Sequence, residues 1–127
     1  MKIAVASDDK VTIRKKHFGE SKYYIIYEVL NGEIYANEIR KNTNVHEGKK
    51  AHGQAVKIVD LLHDCQLFMG GSMGVKSLKY IASKNIEVIK TTMENAEDAV
   101  VAYLNSENGY FKYYNSATEK YCNCTER

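Results

Sequence analysis

The stretch CQLFMGGSMGV (residues 65–75) decides the fold class of this 127-residue chain. Residues 65–69 are a short apolar run, which predicts a buried strand. A glycine-rich tight turn follows at residues 70–74, and apolar residues at helical spacing predict a helix at residues 75–83. A buried strand that passes through a tight turn into a helix is typical of α/β proteins.

The residues on either side continue this alternation. An apolar stripe predicts a helix at residues 51–63, and residues 86–89 form another apolar run that predicts a buried strand. Thr91 and Glu94 stand at capping-box spacing and predict the start of the last helix. Alternating helices and strands imply parallel strands joined by right-handed crossovers.

The first half of the chain favours antiparallel pairing. Residues 3–6 predict a first strand, and residues 23–30 are rich in aromatic and β-branched residues. Asn31-Gly32 then predicts a type I′ hairpin turn into a return strand at residues 33–41. The predicted fold is a single α/β domain with a mixed sheet of about five strands and about three helices.

Composition excludes some classes of function. Apolar residues make up 44% and charged residues 27%, which is ordinary for a globular protein. A formal net charge of +2 is too small to indicate nucleic acid or a membrane as partner, and no apolar run approaches the roughly 18 residues of a spanning helix. The start MKIAVAS is too short and polar-flanked for a signal peptide, and three cysteines fit reduced thiols. We therefore expect a cytoplasmic protein.

In an α/β sheet, ligands bind at the carboxyl ends of the parallel strands. Three loops are predicted to meet there, at residues 7–9, 70–74 and 90–92. The glycine turn leads into a helix N-terminus, which favours an anion. The candidate ligand-binding residues are Ser7, Gly71, Ser72 and Gly74. The alternative is that these glycines serve only the geometry of the turn.

Three loop histidines are candidate metal ligands, because neutral imidazole suits iron, zinc or copper. His17 lies in the first long loop, and His46 and His52 bracket the second. The alternative is that exposed loop histidines have no role. His63, at the end of a predicted helix, is interpreted as structural.

Basic residues surround both histidine loops. Eight of the eighteen Lys and Arg residues flank them: Lys10, Arg14, Lys15, Lys16, Arg40, Lys41, Lys49 and Lys50. If the loops are neighbours, they form a histidine-lined patch with a positive rim, which suits an anionic metal–sulfur cluster better than a bare cation. Lys16, next to His17, is a candidate cluster contact.

The cysteines allow two interpretations. Cys122 and Cys124 add soft sulfur ligands if the tail folds over the site, but one such interval cannot complete a tetrahedral site. The alternative is that this pair is incidental. Cys65, at the start of a buried strand, is predicted to be a small core residue.

Several of these elements together resemble one family, the dinitrogenase iron–molybdenum cofactor biosynthesis proteins. They are the strand-one start, His17-Phe18-Gly19, the Tyr-rich strand with its Asn-Gly hairpin, the histidine- and glycine-bearing loop, and the segment from Leu61 to Gly74. The resemblance covers residues 1–107. It leaves residues 108–127 as a tyrosine- and cysteine-containing tail, outside the family pattern.

The resemblance implies a ribonuclease H-like α/β fold without nuclease chemistry. It also implies a carrier or accessory role for iron- and molybdenum-containing sulfur clusters. His17 matches the family's His-Phe-Gly element and is the implied ligand-contacting residue. His46 and His52 match a region that is often rich in histidine and glycine in the family.

The leading hypothesis is a non-enzymatic carrier of an anionic iron- or molybdenum-containing sulfur cluster. A cluster-donor or acceptor protein is the candidate partner, and the sequence leaves open whether the chain forms a homodimer. One alternative is a metal-dependent nuclease that uses Asp8 and Asp9. Another is a regulatory module that binds a partner through its tyrosines and tail.

Overall fold

A computed structural model describes residues 1–43 and 54–126, and these residues form ten regular elements. In chain order the elements are β1 (Lys2–Ser7), β2 (Tyr23–Leu30), β3 (Glu33–Lys41), α1 (Gln54–Leu61), β4 (Leu67–Gly70), α2 (Val75–Ser83), β5 (Glu87–Thr91), α3 (Ala96–Leu104), β6 (Phe111–Asn115) and β7 (Lys120–Asn123). Helices and strands thus belong to one α/β domain.

All seven strands lie in one mixed sheet in the order β3-β2-β1-β4-β5-β6-β7. The centre is parallel, because β4 pairs in parallel with both β1 and β5. The flanks are antiparallel, with β2 and β3 on one side and β6 and β7 on the other. The predicted parallel core and the predicted N-terminal hairpin are both confirmed.

The predicted number of about five strands is wrong, because the C-terminal residues add two more. Phe111 pairs with Thr91 at the end of β5, so β6 extends the sheet. The turn to β7 is held by Asn115, whose side chain accepts hydrogen bonds from the Ala117 and Thr118 N–H groups, and by Glu119 at φ 56°. The residues between β6 and β7 contain no Asn-Gly or Asp-Gly pair, so the sequence does not predict this hairpin.

The turn between β2 and β3 confirms the Asn-Gly prediction. Asn31 has φ 54° and Gly32 has φ 79°, the left-handed values that a type I′ turn requires. One β-bulge interrupts the pairing between Glu28 and Val29. Beyond it the two strands stay in register up to Tyr23 and Lys41.

The last helix does not begin with the predicted capping box. Thr91 is the last residue of β5, and its hydroxyl donates to the Tyr110 carbonyl at 2.9 Å. The helix instead begins after Asn95, whose side chain accepts from the Asp98 backbone N–H at 2.9 Å. Strand pairing with β6 therefore outweighs the local capping signal. Within the described part of the chain, no helix has the length and apolar content needed to cross a membrane.

The core has one layer on each face of the sheet. Helices α1 and α2 cover one face, where Ile58, Leu78 and Ile81 pack on alternate strand residues such as Phe68. Helix α3 covers the other face, where its small residues pack on a second set of strand residues. Cys65 is buried beside α1, as predicted, and burial raises the pKa of its thiol to about 12.

Candidate functional site

The three parallel strands end together at one edge of the sheet, here called the carboxyl edge. They end at Ser7, Gly70 and Thr91. The predicted meeting of three loops is therefore confirmed. Residues 8–17, here called the strap, cross this edge and touch both other loops.

Backbone hydrogen bonds fix the path of the strap. The Ile13 N–H donates to the Glu94 carbonyl at 2.8 Å, which joins the strap to the loop after β5. The Arg14 N–H donates to the Ala6 carbonyl at 2.8 Å, which joins it to β1. Ile13 is 4% exposed and packs into the core on the α3 side. The strap is therefore an ordered part of the fold.

The two candidate glycines of the turn after β4 have different roles. The Gly71 N–H donates to the Arg14 carbonyl at 3.1 Å. A Cβ at position 71 would lie 2.6 Å from the Lys15 Cα, so Gly71 admits the strap rather than a ligand. A Cβ on Gly74 would meet nothing within 4 Å. Gly74 is the N-cap of α2 and has no side-chain cap, so this helix N-terminus is open.

Arg14 is a structural residue of the strap rather than part of a free basic rim. Its Nη1 donates to Asp8 Oδ2 at 2.6 Å, and its Nε donates to the His17 carbonyl at 3.1 Å. Asp8 Oδ1 also accepts from the Lys22 N–H at 3.0 Å. Asp8 therefore neutralises Arg14, and both hold the backbone of His17.

Asp9 and Ser7 hold the start of the strap. Asp9 accepts from the Thr12 N–H and from the Thr12 hydroxyl, both at 2.7 Å, and from the Val11 N–H at 2.9 Å. The bonds from Thr12 hold the pKa of Asp9 well below its usual range. The buried Ser7 hydroxyl donates to Asp9 and accepts from the Lys10 N–H, so it is used within the loop.

These contacts bear on the nuclease alternative. Two-metal phosphoryl chemistry needs several carboxylates that converge from different strands. Both Asp8 oxygens and both Asp9 oxygens accept hydrogen bonds from the loop itself. Among residues 1–43 and 54–126, no three His, Cys, Asp or Glu side chains lie close enough to hold one metal ion. This geometry disfavours a nuclease site at Asp8 and Asp9.

His17 is exposed but stands on a rigid base. The next residue, Phe18, is 1% exposed and stacks on Phe68 with ring centroids 5.1 Å apart. The Phe18 N–H donates to the Ser72 carbonyl at 3.0 Å, and His17 forms a β-bridge with Ser72. Within the described part of the chain, the His17 imidazole has no hydrogen-bond partner. Its ring nitrogens are therefore available at the carboxyl edge.

Within the described part of the chain, not all of the predicted basic residues belong to a free surface around His17. Lys15 and Lys16 are exposed, and Lys15 makes only a long contact with Glu94, 3.4 Å from Nζ to Oε1. Lys10 lies over the Tyr23 ring, 4.8 Å from its centroid. Arg40 lies elsewhere, paired with Asp64. Among residues 1–43 and 54–126, Lys15 and Lys16 are the exposed basic residues that directly precede His17 in the chain.

The second histidine loop falls largely outside the described residues, as do His46, His52, Lys49 and Lys50. The residues that flank it are nevertheless fixed beside the first loop. Asn42 Nδ2 donates to the Gly19 carbonyl at 3.1 Å, and Gln54 Nε2 donates to the same oxygen at 2.8 Å. Asn42 and Gln54, which flank residues 44–53, are therefore both held at Gly19, two residues after His17 in the sequence.

The two C-terminal cysteines do not join His17. Cys122 is in β7, three strands away from β4, which is about 14 Å at the usual strand spacing. Cys124 is 1% exposed in the core on the α3 side. Burial raises the pKa of its thiol, which disfavours the thiolate that a metal needs. The structure therefore gives Cys124 a packing role.

Sequence reasoning missed the residues that hold the site. They are the pair Asp8 and Arg14, the ring of Phe18, the hydroxyl of Tyr24, and the amides of Asn42 and Gln54. All act on backbone groups or through packing. The only available signal was the position of Phe18 between His17 and Gly19, which places an apolar ring next to a candidate ligand.

Comparison with protein families identifies the chain. A family model described as dinitrogenase iron-molybdenum cofactor matches residues 1–106. The chain belongs to this family. The match contains the strap, the His17 element and the turn after β4, and it ends before β6. No curated protein matches the chain.

Solved structures share the fold at low sequence identity. The crystal structure of PH0822 has a TM-score of 0.67 at 22% identity and covers 94% of this chain and 100% of its own. MJ0327 from Methanocaldococcus jannaschii, provisionally described as a dinitrogenase, has a TM-score of 0.64 at 18% identity over 84% of this chain and 90% of its own. Thermotoga TM1290, provisionally described as a NifB protein, has a TM-score of 0.61 at 15% identity over 82% of this chain and 87% of its own. At these identities the likeness concerns the fold alone.

Proposed function

We propose that this protein is a non-enzymatic carrier of an anionic iron- and/or molybdenum-containing sulfur cluster, accessory to metal-cofactor biosynthesis. The observation that carries the proposal is the exposed His17 imidazole on a backbone fixed by Phe18 and Ser72. A carrier needs a ligand that is held in place but open to solvent, so that the cluster can enter and leave.

The charges beside His17 fit an anionic cargo. Lys15 and Lys16 are exposed next to it, and the N-cap of α2, Gly74, is two residues after Ser72. The ammonium groups would balance the charge of the cluster, and the free N–H groups of the helix would favour its sulfides. His17 would supply the imidazole ligand.

The proposal includes a ribonuclease H-like fold that has no nuclease activity. Asp8 serves Arg14 and Asp9 serves the strap, so the carboxylates at the end of β1 are used for structure. It also places the protein in the cytoplasm, where Cys65 and Cys124 stay reduced and a cluster-donor or acceptor protein is the partner.

The experiment is anaerobic reconstitution with iron, molybdate and sulfide, followed by metal analysis and absorption spectra. We expect the wild-type protein to take up a stoichiometric cluster and His17→Ala to bind it at least about 10-fold more weakly. His63→Ala is the matched control, because His63 is also exposed but lies after α1, at the opposite end of the sheet. No uptake by the wild type, or equal binding by His17→Ala, would refute the proposal.

A second variant tests the charge of the cargo. Replacing Lys15 and Lys16 by glutamine should weaken binding and reduce its dependence on salt. Lys84 and Lys120, which are exposed away from the carboxyl edge, provide the control pair for the same replacement. Equal loss in both double variants would mean that only the net charge of the protein matters.

A further inference from the structure

We propose that the face of β5, β6 and β7 on the α2 side of the sheet binds an acidic segment of a partner protein. This surface, here called the lysine–tyrosine face, is formed by Lys90, Lys112, Tyr114, Tyr121 and Asn123. It is a different part of the molecule from the His17 site, and the proposal does not depend on the proposed cargo.

The strand register places two lysines side by side on this face. Lys90 pairs with Lys112, and Lys112 pairs with Asn123, so the three residues form a row across β5, β6 and β7. Tyr114, two residues after Lys112, pairs with Tyr121. Residues two apart on a strand share a face, and both tyrosines pack against the core cluster that α1 and α2 cover. The two lysines therefore lie on the α2 side of the sheet.

The charges of these lysines are not balanced within the described part of the chain. Like charges directly opposite each other on neighbouring strands repel, so the pair of Lys90 and Lys112 costs stability. Among residues 1–43 and 54–126, neither of them forms an ion pair. Helix α2 adds positive charge, because its charged residues are Lys76 and Lys79, and Lys79 Nζ lies 3.1 Å from Glu119 Oε1. An anionic partner would relieve the repulsion.

The tyrosines favour an acidic protein segment over a single-stranded nucleic acid. Base stacking needs aromatic rings whose faces are open to solvent. The Lys90 ammonium lies over the Tyr121 ring, 5.1 Å from its centroid, and the rings of Tyr114 and Tyr121 meet edge to face at 5.9 Å. The exposed face of Tyr121 is therefore used by Lys90. This contact holds the ammonium group at the surface, where a carboxylate can reach it.

The row of lysines borders the carboxyl edge. Lys90 pairs with Gly70, the last residue of β4, and the turn after Gly70 leads to Ser72, which forms a β-bridge with His17. A segment bound on the lysine–tyrosine face would therefore lie beside the end of the sheet at which His17 stands.

The first test is an NMR titration of isotope-labelled protein, without any cluster, with a short oligoglutamate peptide. We expect the largest changes in amide shift around Lys90 and Lys112, and loss of binding at about 1 M salt, where the screening length is only about 3 Å. No binding at low salt, or shifts centred on the strap, overturns the proposal. Because no cluster is present, this result is independent of the cargo experiment.

The second test replaces the lysines in pairs. Lys90→Gln/Lys112→Gln should weaken peptide binding at least about 5-fold, because two ion pairs are lost. It should still fold, since it removes a repulsion between neighbouring strands, and circular dichroism checks this. Lys41→Gln/Lys57→Gln is the matched control, because both lysines are exposed, on β3 and α1, and the change in net charge is the same. Equal loss in the two double variants overturns the proposal.

The third test distinguishes the kinds of partner. Lys90→Glu/Lys112→Glu should lose oligoglutamate binding and gain binding of oligolysine, and a variant that still prefers oligoglutamate overturns the proposal. A single-stranded oligodeoxynucleotide with the same charge as the peptide should bind the wild type more weakly than the peptide does. Equal or tighter binding of the oligonucleotide at the same strands would assign the face to nucleic acid instead.

Discussion

The hydroxyl of Tyr24 donates a hydrogen bond of 2.7 Å to the carbonyl of Phe18, beneath the exposed His17. Tyr24 is completely buried, and its ring lies 5.0 Å from the Phe18 ring. Burial holds the pKa of Tyr24 well above its usual range, so the hydroxyl keeps its proton and remains a donor. One residue of β2 thus fixes both the side chain and the backbone next to His17.

Tyr24→Phe should therefore destabilise the protein by about 1 kcal/mol. The variant removes the 2.7 Å bond and leaves the Phe18 carbonyl with the longer bond from the Ser21 N–H, at 3.3 Å. Tyr110→Phe is the control, since Tyr110 is 54% exposed, and its cost should stay within about 0.5 kcal/mol. Denaturant unfolding measures both. Equal costs for the two variants would mean that the Tyr24 hydroxyl contributes nothing.

The two glycines of the turn after β4 should respond differently to alanine. In Gly71→Ala the new Cβ meets backbone atoms of Lys15 and Arg14 at 2.6–2.9 Å, which no side-chain rotation relieves. We expect a loss of about 2 kcal/mol or more and a displaced strap. Gly74→Ala meets nothing and should be close to neutral in stability.

Denaturant unfolding together with amide hydrogen exchange of strap residues checks this prediction. Gly71→Ala should raise exchange at Ile13 and Arg14, whose N–H groups are hydrogen-bonded in the strap. Unchanged stability and exchange would show that the backbone contact with Lys15 relaxes at little cost.

Low pH should weaken the ion pairs of Asp64 with Arg40 and Lys2, which connect β3 to the residues before β4. Asp64 accepts from Arg40 at 2.6 and 2.7 Å and from Lys2 at 3.0 Å, and the bonds from Arg40 hold its pKa well below the usual range. Since the folded-state pKa lies below the unfolded value of about 3.9, this stabilisation is present above that pH and lost as the pH falls below it.

Asp64→Asn should cost about 2 kcal/mol at pH 7, because it removes the carboxylate that accepts from both Nη groups of Arg40 and leaves the exposed Glu38 as the acidic partner. The difference from the wild type should narrow toward pH 3. Denaturant unfolding at both pH values measures it, with the exposed Asp60→Asn as control. A difference that does not change with pH would assign the effect to shape rather than charge.

Removing the C-terminal hairpin should destroy cooperative folding. A chain that ends at residue 107 loses Phe111 and Cys124 from the core and exposes the edge of β5. Deleting only residues 125–127 keeps both and should leave unfolding unchanged. Circular dichroism during thermal unfolding distinguishes the two. A shortened chain that still unfolds cooperatively would mean that the hairpin is an accessory.

The central strands and helices could be predicted from sequence because each has a local signal. Residues 65–75 combine an apolar run, a glycine turn and a helical stripe, and Asn31-Gly32 specifies its own turn type. The start of α3 could not be predicted in this way. Thr91 and Glu94 fit a capping box locally, but pairing with β6 keeps Thr91 in a strand. Long-range pairing decided that boundary.

The site was only partly predictable for the same reason. His17 and Ser72 could be singled out because each belongs to a recognisable residue pattern, and the structure pairs them. No local pattern indicates that Asp8 neutralises Arg14 or that the Lys15 backbone packs against Gly71, because both contacts depend on how the strap crosses the sheet. Residue type indicates what a side chain can do, and packing decides which groups remain free to do it.

One carbonyl, that of Gly19, receives amides from both Asn42 and Gln54. The two junctions of residues 44–53 are therefore pinned to one point of the scaffold, whatever lies between them. Doubling the length of a segment closed in this way costs only about 0.6 kcal/mol of chain entropy. Segments of other lengths can therefore be joined at Asn42 and Gln54 without any change in the core.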